Sequence, residues 1–301
     1  MHKRVAAVLS LTCVSLYFSE SCSSEKEIRE TRETLKLDVR WGGTPSRLLE
    51  EMFRYAKIEK DDIIYDLGCG DGRIVISAAK KYGIKGVGID LDPIRIMESE
   101  ENLQRSGLRS QVKFFCQNLF DVDISEATVL AIYLNKKVNR RLRPKIFREM
   151  KPGSRIVSHN WDMGNWKPDA ITKIENRTVY YWMLPVNVSG EWSWTLPNDP
   201  LHQKYELKIE QFYQKGKGYL GFHNLKALIK NISVTGNKIL ISYEESIGAD
   251  KFNISYEGIL AADTITGKAT IKSGQAIVEE TWHAIRKPVS ITDIIEADTE
   301  Q

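Results

Sequence analysis

Cysteine is scarce in this 301-residue sequence, with only Cys13, Cys22, Cys69 and Cys116 present. The first two lie in or beside an N-terminal apolar run, so at most two belong to the folded chain. That excludes a disulfide framework, and no Cys or His spacing matches a zinc site. No apolar run reaches the roughly 20 residues that a membrane-spanning helix needs. An excess of one charge is missing as well. Lys and Arg number 43 against 40 Asp and Glu, a net charge of +3, which gives no electrostatic case for nucleic acid. There is no internal repeat and no low-complexity segment. What remains is a chain with 42% hydrophobic residues, enough for a sizeable core and for two domains rather than one.

The N-terminus departs from this soluble profile. His2, Lys3 and Arg4 precede an apolar run from Val5 to about Phe18, and small and polar residues follow from Ser19 to Ser24. This is the three-part shape of an export signal. Cys22 stands where a bacterial lipoprotein could be lipidated, although Glu20 interrupts the usual run of small residues. Residues 1–24 are therefore read as a signal peptide or anchor. This places the protein in the cell envelope or on a membrane; the alternative is a cytoplasmic protein. Residues 25–43 are charged and read as a linker or solvated helix.

From Thr44 the pattern becomes regular. Thr44 and Pro45 can open a helix, with Leu48, Leu49, Met52, Phe53 and Ala56 on its apolar stripe. Strands at 63–65, 86–89, 112–116, 128–134 and 155–158 then alternate with helices at 73–82, 93–106 and 138–150. This rhythm predicts a parallel α/β sheet with helices on both faces. Segments 171–174 and 178–183 predict a closing hairpin. After Pro185 the texture changes to short alternating segments at 191–196, 205–213, 232–234, 238–243, 252–256, 270–272 and 276–282. Turn residues divide them, including Gly216-Lys217-Gly218 and Thr235-Gly236-Asn237. Residues 186–287 are thus a β-rich accessory domain, a small antiparallel barrel or sandwich, and 288–301 a flexible tail.

The chemistry is concentrated in Asp66-Leu67-Gly68-Cys69-Gly70-Asp71-Gly72-Arg73, placed between a strand and a helix. Its glycines allow a tight turn and leave room for a ligand against the backbone, and the helix N-terminus presents free N–H groups. A dinucleotide-binding loop would carry a third glycine where Arg73 stands. Asp66 and Asp71 would repel a pyrophosphate and suit the cationic amino-acid end of S-adenosylmethionine (SAM). Asp90, ending the next strand, can accept from both ribose hydroxyls.

Residues 66–93 resemble motifs I and post-I of class I SAM-dependent methyltransferases. From Trp41-Gly42-Gly43-Thr44-Pro45 to Lys167-Pro168-Asp169 the chain is similar to bacterial relatives of the ATP-synthase c-subunit lysine methyltransferases. It is more distantly similar to the non-SET histone-lysine methyltransferases. The resemblance implies a Rossmann-like methyltransferase sheet over residues 44–185, SAM as cofactor and a protein lysine as acceptor. It also implies site residues. Asp66, Gly68, Cys69, Gly70, Asp71 and Gly72 would hold the methionine part, Asp90 the ribose and Leu91 the adenine face. Asn118 would accept from the adenine amino group, where the family more often has aspartate.

The acceptor side is less marked. The Asn/Asp-Pro-Pro-aromatic signature of many amino-group methyltransferases is absent. Tyr133 and Asn135 could orient an amine, or could serve as strand-end packing and a helix cap. Trp161 and Trp166 could wall a channel or fill the core, and His159 or Asp162 could accept a proton. Tyr133, Asn135 and His159 are the catalytic candidates. Cys69 reads as a small buried filler, Lys136, Lys137, Arg140, Arg141 and Arg143 as a basic helix face, and Trp192 as barrel core. A methyltransferase of a protein lysine is the first expectation. The alternative is a non-catalytic envelope lipoprotein that keeps the SAM-binding fold and binds a ligand or partner through its β-domain.

Overall fold

The computed structural model describes residues 32–39, 41–198, 203–222 and 225–294. The expected signal, its lipidation site at Cys22 and the end of the expected tail lie outside these residues. Among the described residues no helix is long and apolar enough to cross a membrane.

The chain forms two compact units. Of the described residues, one comprises those up to Glu149 with Val157–Trp161 and Ile171–Tyr181; the other comprises Met150–Ile156, Asp162–Ala170 and those from Trp182 onward. The first follows the βα alternation of the sequence: α1 (Ser46–Ala56), β1 (Ile63–Leu67), α2 (Arg73–Tyr82), β2 (Lys85–Asp90), α3 (Pro93–Ser106), β3 (Val112–Cys116), β4 (Val129–Ile132), α4 (Lys136–Glu149), β5 (Arg155–His159), β6 (Ala170–Ile174) and β7 (Arg177–Met183). The seven strands form one sheet in the order β3-β2-β1-β4-β5-β7-β6. β1 pairs in parallel with β2 on one side and β4 on the other. Strand order reverses at β1, and in open α/β sheets a ligand crevice forms at the carboxyl ends of the strands at such a point.

Local signals set the element ends. The stripe Leu48, Leu49, Met52, Phe53 and Ala56 is buried as its helical spacing predicts. α3 opens on Asp92, whose side chain accepts from the Ile94 N–H, with Pro93 at the first helical position; both features favour a helix start. Thr44 departs from expectation. The residue flanking α1 is Pro45, with no side-chain cap, because the Thr44 hydroxyl lies 3.1 Å from the His159 ring.

The second unit contains a closed barrel of eight strands: β8 (Gly190–Thr195), β9 (Lys204–Phe212), β10 (Lys215–Phe222), β11 (Leu225–Thr235), β12 (Lys238–Ile247), β13 (Asp250–Ala261), β14 (Thr264–Ser273) and β15 (Ala276–Arg286). Each strand pairs antiparallel with the next. β15 closes the barrel on β8 through Ile285–Ser193 and Arg286–Trp192. This decides between barrel and sandwich, and closure leaves no free sheet edge. Gly216-Lys217-Gly218, expected to be a turn, runs inside β10, with a register shift at the glycines; a glycine pair marks a bulge as readily as a turn.

One end of the barrel is plugged by polar side chains whose bonds are made. Buried Gln211 accepts from the Val188 N–H and donates to the carbonyls of Val186 and Tyr213. Arg286 donates to the carbonyls of Asn187 and Ser189 and to Asp263. Its guanidinium stands 4.8 Å from the Trp192 ring centre, and Trp192 is core, as expected.

Candidate active site

The loop between β1 and α2 lies at the switch point, where Gly68 and Cys69 both donate to the Ile89 carbonyl. Gly68, Gly70 and Gly72 all have positive φ, 86°, 55° and 76°. At Gly70 space adds a second constraint, because a Cβ there would collide with the indole edge of Trp41. Trp41 is half-exposed and holds its ring beside two guanidinium groups, Arg95 at 4.8 Å and Arg73 at 5.8 Å.

Asp90 is held in place by its neighbours. One carboxylate oxygen accepts from the Gly70 N–H and the other from the Asp92 N–H, each at 2.9 Å. One acceptor lone pair on each oxygen remains for a diol. Asp92 in turn accepts from Arg32 at 2.9 Å. A cavity of about 340 Å³ opens beside this group, and its lining includes Gly68, Asp90, Leu91, Asn118 and Tyr133 of the expected residues. Trp41, Gly42, Leu37 and Phe120 also line it. Asp71 and Cys69 do not line this cavity. Asp71 faces Arg73 in an ion pair of 2.6 Å, which holds its carboxyl below the usual range against the opposing effect of burial. Cys69 is buried, the filler that was expected, and burial pushes its thiol well up. Asn118 spends its side-chain oxygen on the Phe120 N–H at 3.1 Å, so the adenine acceptor expected of it is already partly engaged.

Asp66 bears most directly on a cofactor. It is 1% exposed, and among the described residues neither carboxyl oxygen has a hydrogen-bond partner. Burial, with Asp90 and Asp71 nearby, raises its pKa well above the ordinary range. A buried carboxyl of this kind is costly unless a cation meets it. The α-ammonium of SAM is such a cation, and the ribose diol matches Asp90. The residues present therefore fit SAM.

The acceptor candidates separate. His159 is buried, with its ring stacked on Tyr133 at 3.7 Å between centres. Its Nε2 faces the Arg177 Nη1 at 3.1 Å and its Nδ1 faces the Thr44 hydroxyl at 3.1 Å. Arginine can only donate, so Nε2 accepts and Nδ1 carries the proton that goes to Thr44. Burial, then the Arg177 charge, lowers the His159 pKa to about 4. The imidazole is neutral at pH 7, with both nitrogens engaged, and is not placed to accept a proton from substrate. Arg177 Nη1 also donates to the Tyr133 hydroxyl at 3.4 Å. Asn135 caps α4, accepting from Val138 and donating to the Asp38 carbonyl. Asp162 accepts from the Gly164 N–H. Trp166 is fully buried, whereas Trp161 is 43% exposed. Sequence reading passed over Thr44, Arg95 and Arg177 as site residues. Arg177 carried no signal, standing at the start of β7 far from any motif.

The methyltransferase model named for the ANTKMT methyltransferase domain matches residues 66–170. A protein-lysine N-methyltransferase of Saccharolobus islandicus is 42% identical over 146 residues, which is 47% of this chain and 91% of that protein. This chain belongs to the family of that protein-lysine N-methyltransferase. The human ATP-synthase c-subunit lysine N-methyltransferase is 29% identical over 127 residues, so the match spans only 54% of that protein and 42% of this one. A solved structure of an RNA methyltransferase from Salinibacter ruber, in complex with S-adenosylhomocysteine, is 44% identical. It covers 47% of this chain and 93% of that one, with a TM-score of 0.47. The methyltransferase uses SAM as its cofactor, and the barrel lies outside the residues that the family model matches.

Proposed function

We propose that the protein transfers a methyl group from SAM to the ε-amino group of a lysine in a protein. The Saccharolobus relative supports the acceptor, and the unpartnered Asp66 beneath the glycine loop supports the cofactor pose. Bound SAM supplies an electrophilic methyl on its sulfonium. Asp66 would receive the cofactor's ammonium, Asp90 its ribose hydroxyls, and Gly68 and Leu91 the surfaces between. On the acceptor side Tyr133 lines the cavity. Its oxygen takes an N–H from Arg177 and keeps a lone pair for an N–H of the incoming amine. His159 then acts through Tyr133, fixing its ring by stacking. Amine methylation needs in-line placement and loss of one proton, and here that proton leaves to solvent before attack.

The pH profile tests this reading. Lysine titrates near 10.4, so incorporation of labelled methyl into lysine of a cell-protein extract should rise about tenfold per pH unit below that value. No inflection should appear near pH 6.5, because His159 stays neutral down to about pH 4. A plateau above pH 7 would instead identify a titrating base of ordinary histidine pKa and contradict the proposal.

A further inference from the structure

The end of the barrel opposite the Gln211–Arg286 plug is built differently. It is the end at which β8 stops, β9 begins, β14 stops and β15 begins. The inward faces of the strands there carry aromatic rings and two carboxylates, Glu245 and Glu280. Trp194, Tyr256 and Trp282 are buried, at 4%, 1% and 0% exposure, while Tyr205, Tyr243 and Glu245 are half-buried toward the opening. The Trp194 ring stacks on Tyr205 at 5.6 Å and meets Tyr256 edge-on at 5.2 Å and Trp282 at 5.8 Å. Tyr243 and Tyr256 lie close enough to act on one another electrostatically.

Glu245 is the unusual member. Its strand alternation, Ile239 and Ile241 buried with Tyr243 and Glu245 half-buried, turns it to the interior. Its carboxylate acts electrostatically on both Tyr243 and Tyr256. Among the described residues no cation pairs with it and no group donates to it; burial alone raises its pKa. The neighbouring inward carboxylate, Glu280, is engaged by the Asn198 N–H at 3.1 Å. The buried indole N–H of Trp282 also lacks a partner. A fold that only needed to fill this end would place another apolar side chain at 245, since a half-buried carboxylate without a counter-charge costs stability.

Aromatic faces beside a carboxylate that no cation pairs are the chemistry that recognises an organic ammonium. The ring quadrupoles attract a large, weakly hydrated cation, and the carboxylate neutralises it. The mouths of β-barrels are a regular place for small-ligand sites. We propose that this barrel mouth binds a methylated ammonium group, with Tyr205 and Tyr243 as its aromatic walls, the packed Trp194, Tyr256 and Trp282 rings supporting them from below, and Glu245 as its counter-charge.

The test uses the full chain without SAM, so its outcome is separate from that of the methyl-transfer reading. Choline and a peptide bearing trimethyllysine are titrated by calorimetry and by tryptophan emission. The controls are the uncharged isostere of choline, in which a tert-butyl group replaces the trimethylammonium, and the same peptide unmethylated. Choline should bind, and its isostere should bind at least ~10-fold more weakly, about 1.4 kcal/mol. Glu245→Gln, with unchanged melting temperature, should weaken choline by a similar factor. Tighter binding of the trimethyllysine peptide than of choline would name a protein side chain as the source of the ammonium; equal binding would name the free small molecule. Absence of binding, equal binding of the isostere, or indifference to Glu245→Gln would each overturn the proposal.

Discussion

Replacing Asp66 by Asn is expected to stabilise the cofactor-free protein and, at the same time, to weaken SAM binding by ~100-fold or more. The two effects have one cause. Asp66 is fully buried, its oxygens have no partner, and Asp90 and Asp71 stand near it. Its folded pKa lies well above its unfolded value. As pH rises from about 4 through that folded pKa, the unfolded chain has already released its proton while the folded one must give it up in an apolar place. Stability of the cofactor-free protein therefore falls over that range. Asn keeps the shape and cannot ionise, so Asp66→Asn should gain about 2 kcal/mol at pH 8 and show a flatter dependence on pH. Denaturant titration at several pH values measures this. Calorimetry measures the other half, with 5′-methylthioadenosine as control. That compound lacks the amino-acid end, so its affinity should be unchanged. A variant that lost stability and bound SAM normally would mean that the carboxyl does not face the cofactor.

Gly267→Ala is expected to cost on the order of 3 kcal/mol or more in the stability of the barrel. Gly267 pairs directly with Gly258 across β13 and β14, and with Trp282 across β14 and β15. A Cβ at Gly267 would drive into the Glu257 carbonyl and lie 2.5 Å from the Gly258 Cα. These contacts are backbone, so no side-chain rotation relieves them. The Trp282 ring, fully buried, passes 3.1 Å from where a Gly258 Cβ would sit. Gly258 makes room for the indole, in the small-beside-large manner by which small barrels fill their interiors, and Gly267 lets the β13 backbone pass close beside it. Near-ultraviolet circular dichroism, sensitive to Trp282, together with the melting temperature, reads the effect. An unchanged melting temperature would show that the strands can separate there.

The methyltransferase unit was legible because its signals are local. Asp66 to Arg73 falls on one strand end, one loop and one helix start, and Asp90 ends the adjacent strand, so a linear reading picks out both segments that the fold places at the switch point. The acceptor side was not legible in the same way. Thr44, Tyr133, His159 and Arg177 come from four separate segments and meet only in the folded sheet. Thr44 before Pro45 carried every mark of a helix cap, and a tertiary contact took its hydroxyl instead. Asn135 shows the converse, a catalytic candidate that local geometry claimed as a cap. In the β-rich part the alternation located most strands, but β10 contains glycines at 216, 218 and 221, which imitate a turn. Glu245 escaped notice because a carboxylate at one alternate position looks like a lapse in a surface pattern until the barrel closes around it.

On the proposed reading, the glycine loop and Asp90 bind SAM so that its methyl reaches a protein lysine. The most direct test incubates the full chain with isotopically methyl-labelled SAM and a cell extract containing both protein and RNA, then locates the label by mass spectrometry, with Asp90→Ala in parallel. Labelled methyllysine in protein is the expected result, with incorporation at least ~100-fold lower for Asp90→Ala at limiting cofactor, since the ribose diol loses both its acceptors. Label found only in RNA, or incorporation indifferent to Asp90→Ala, would contradict it.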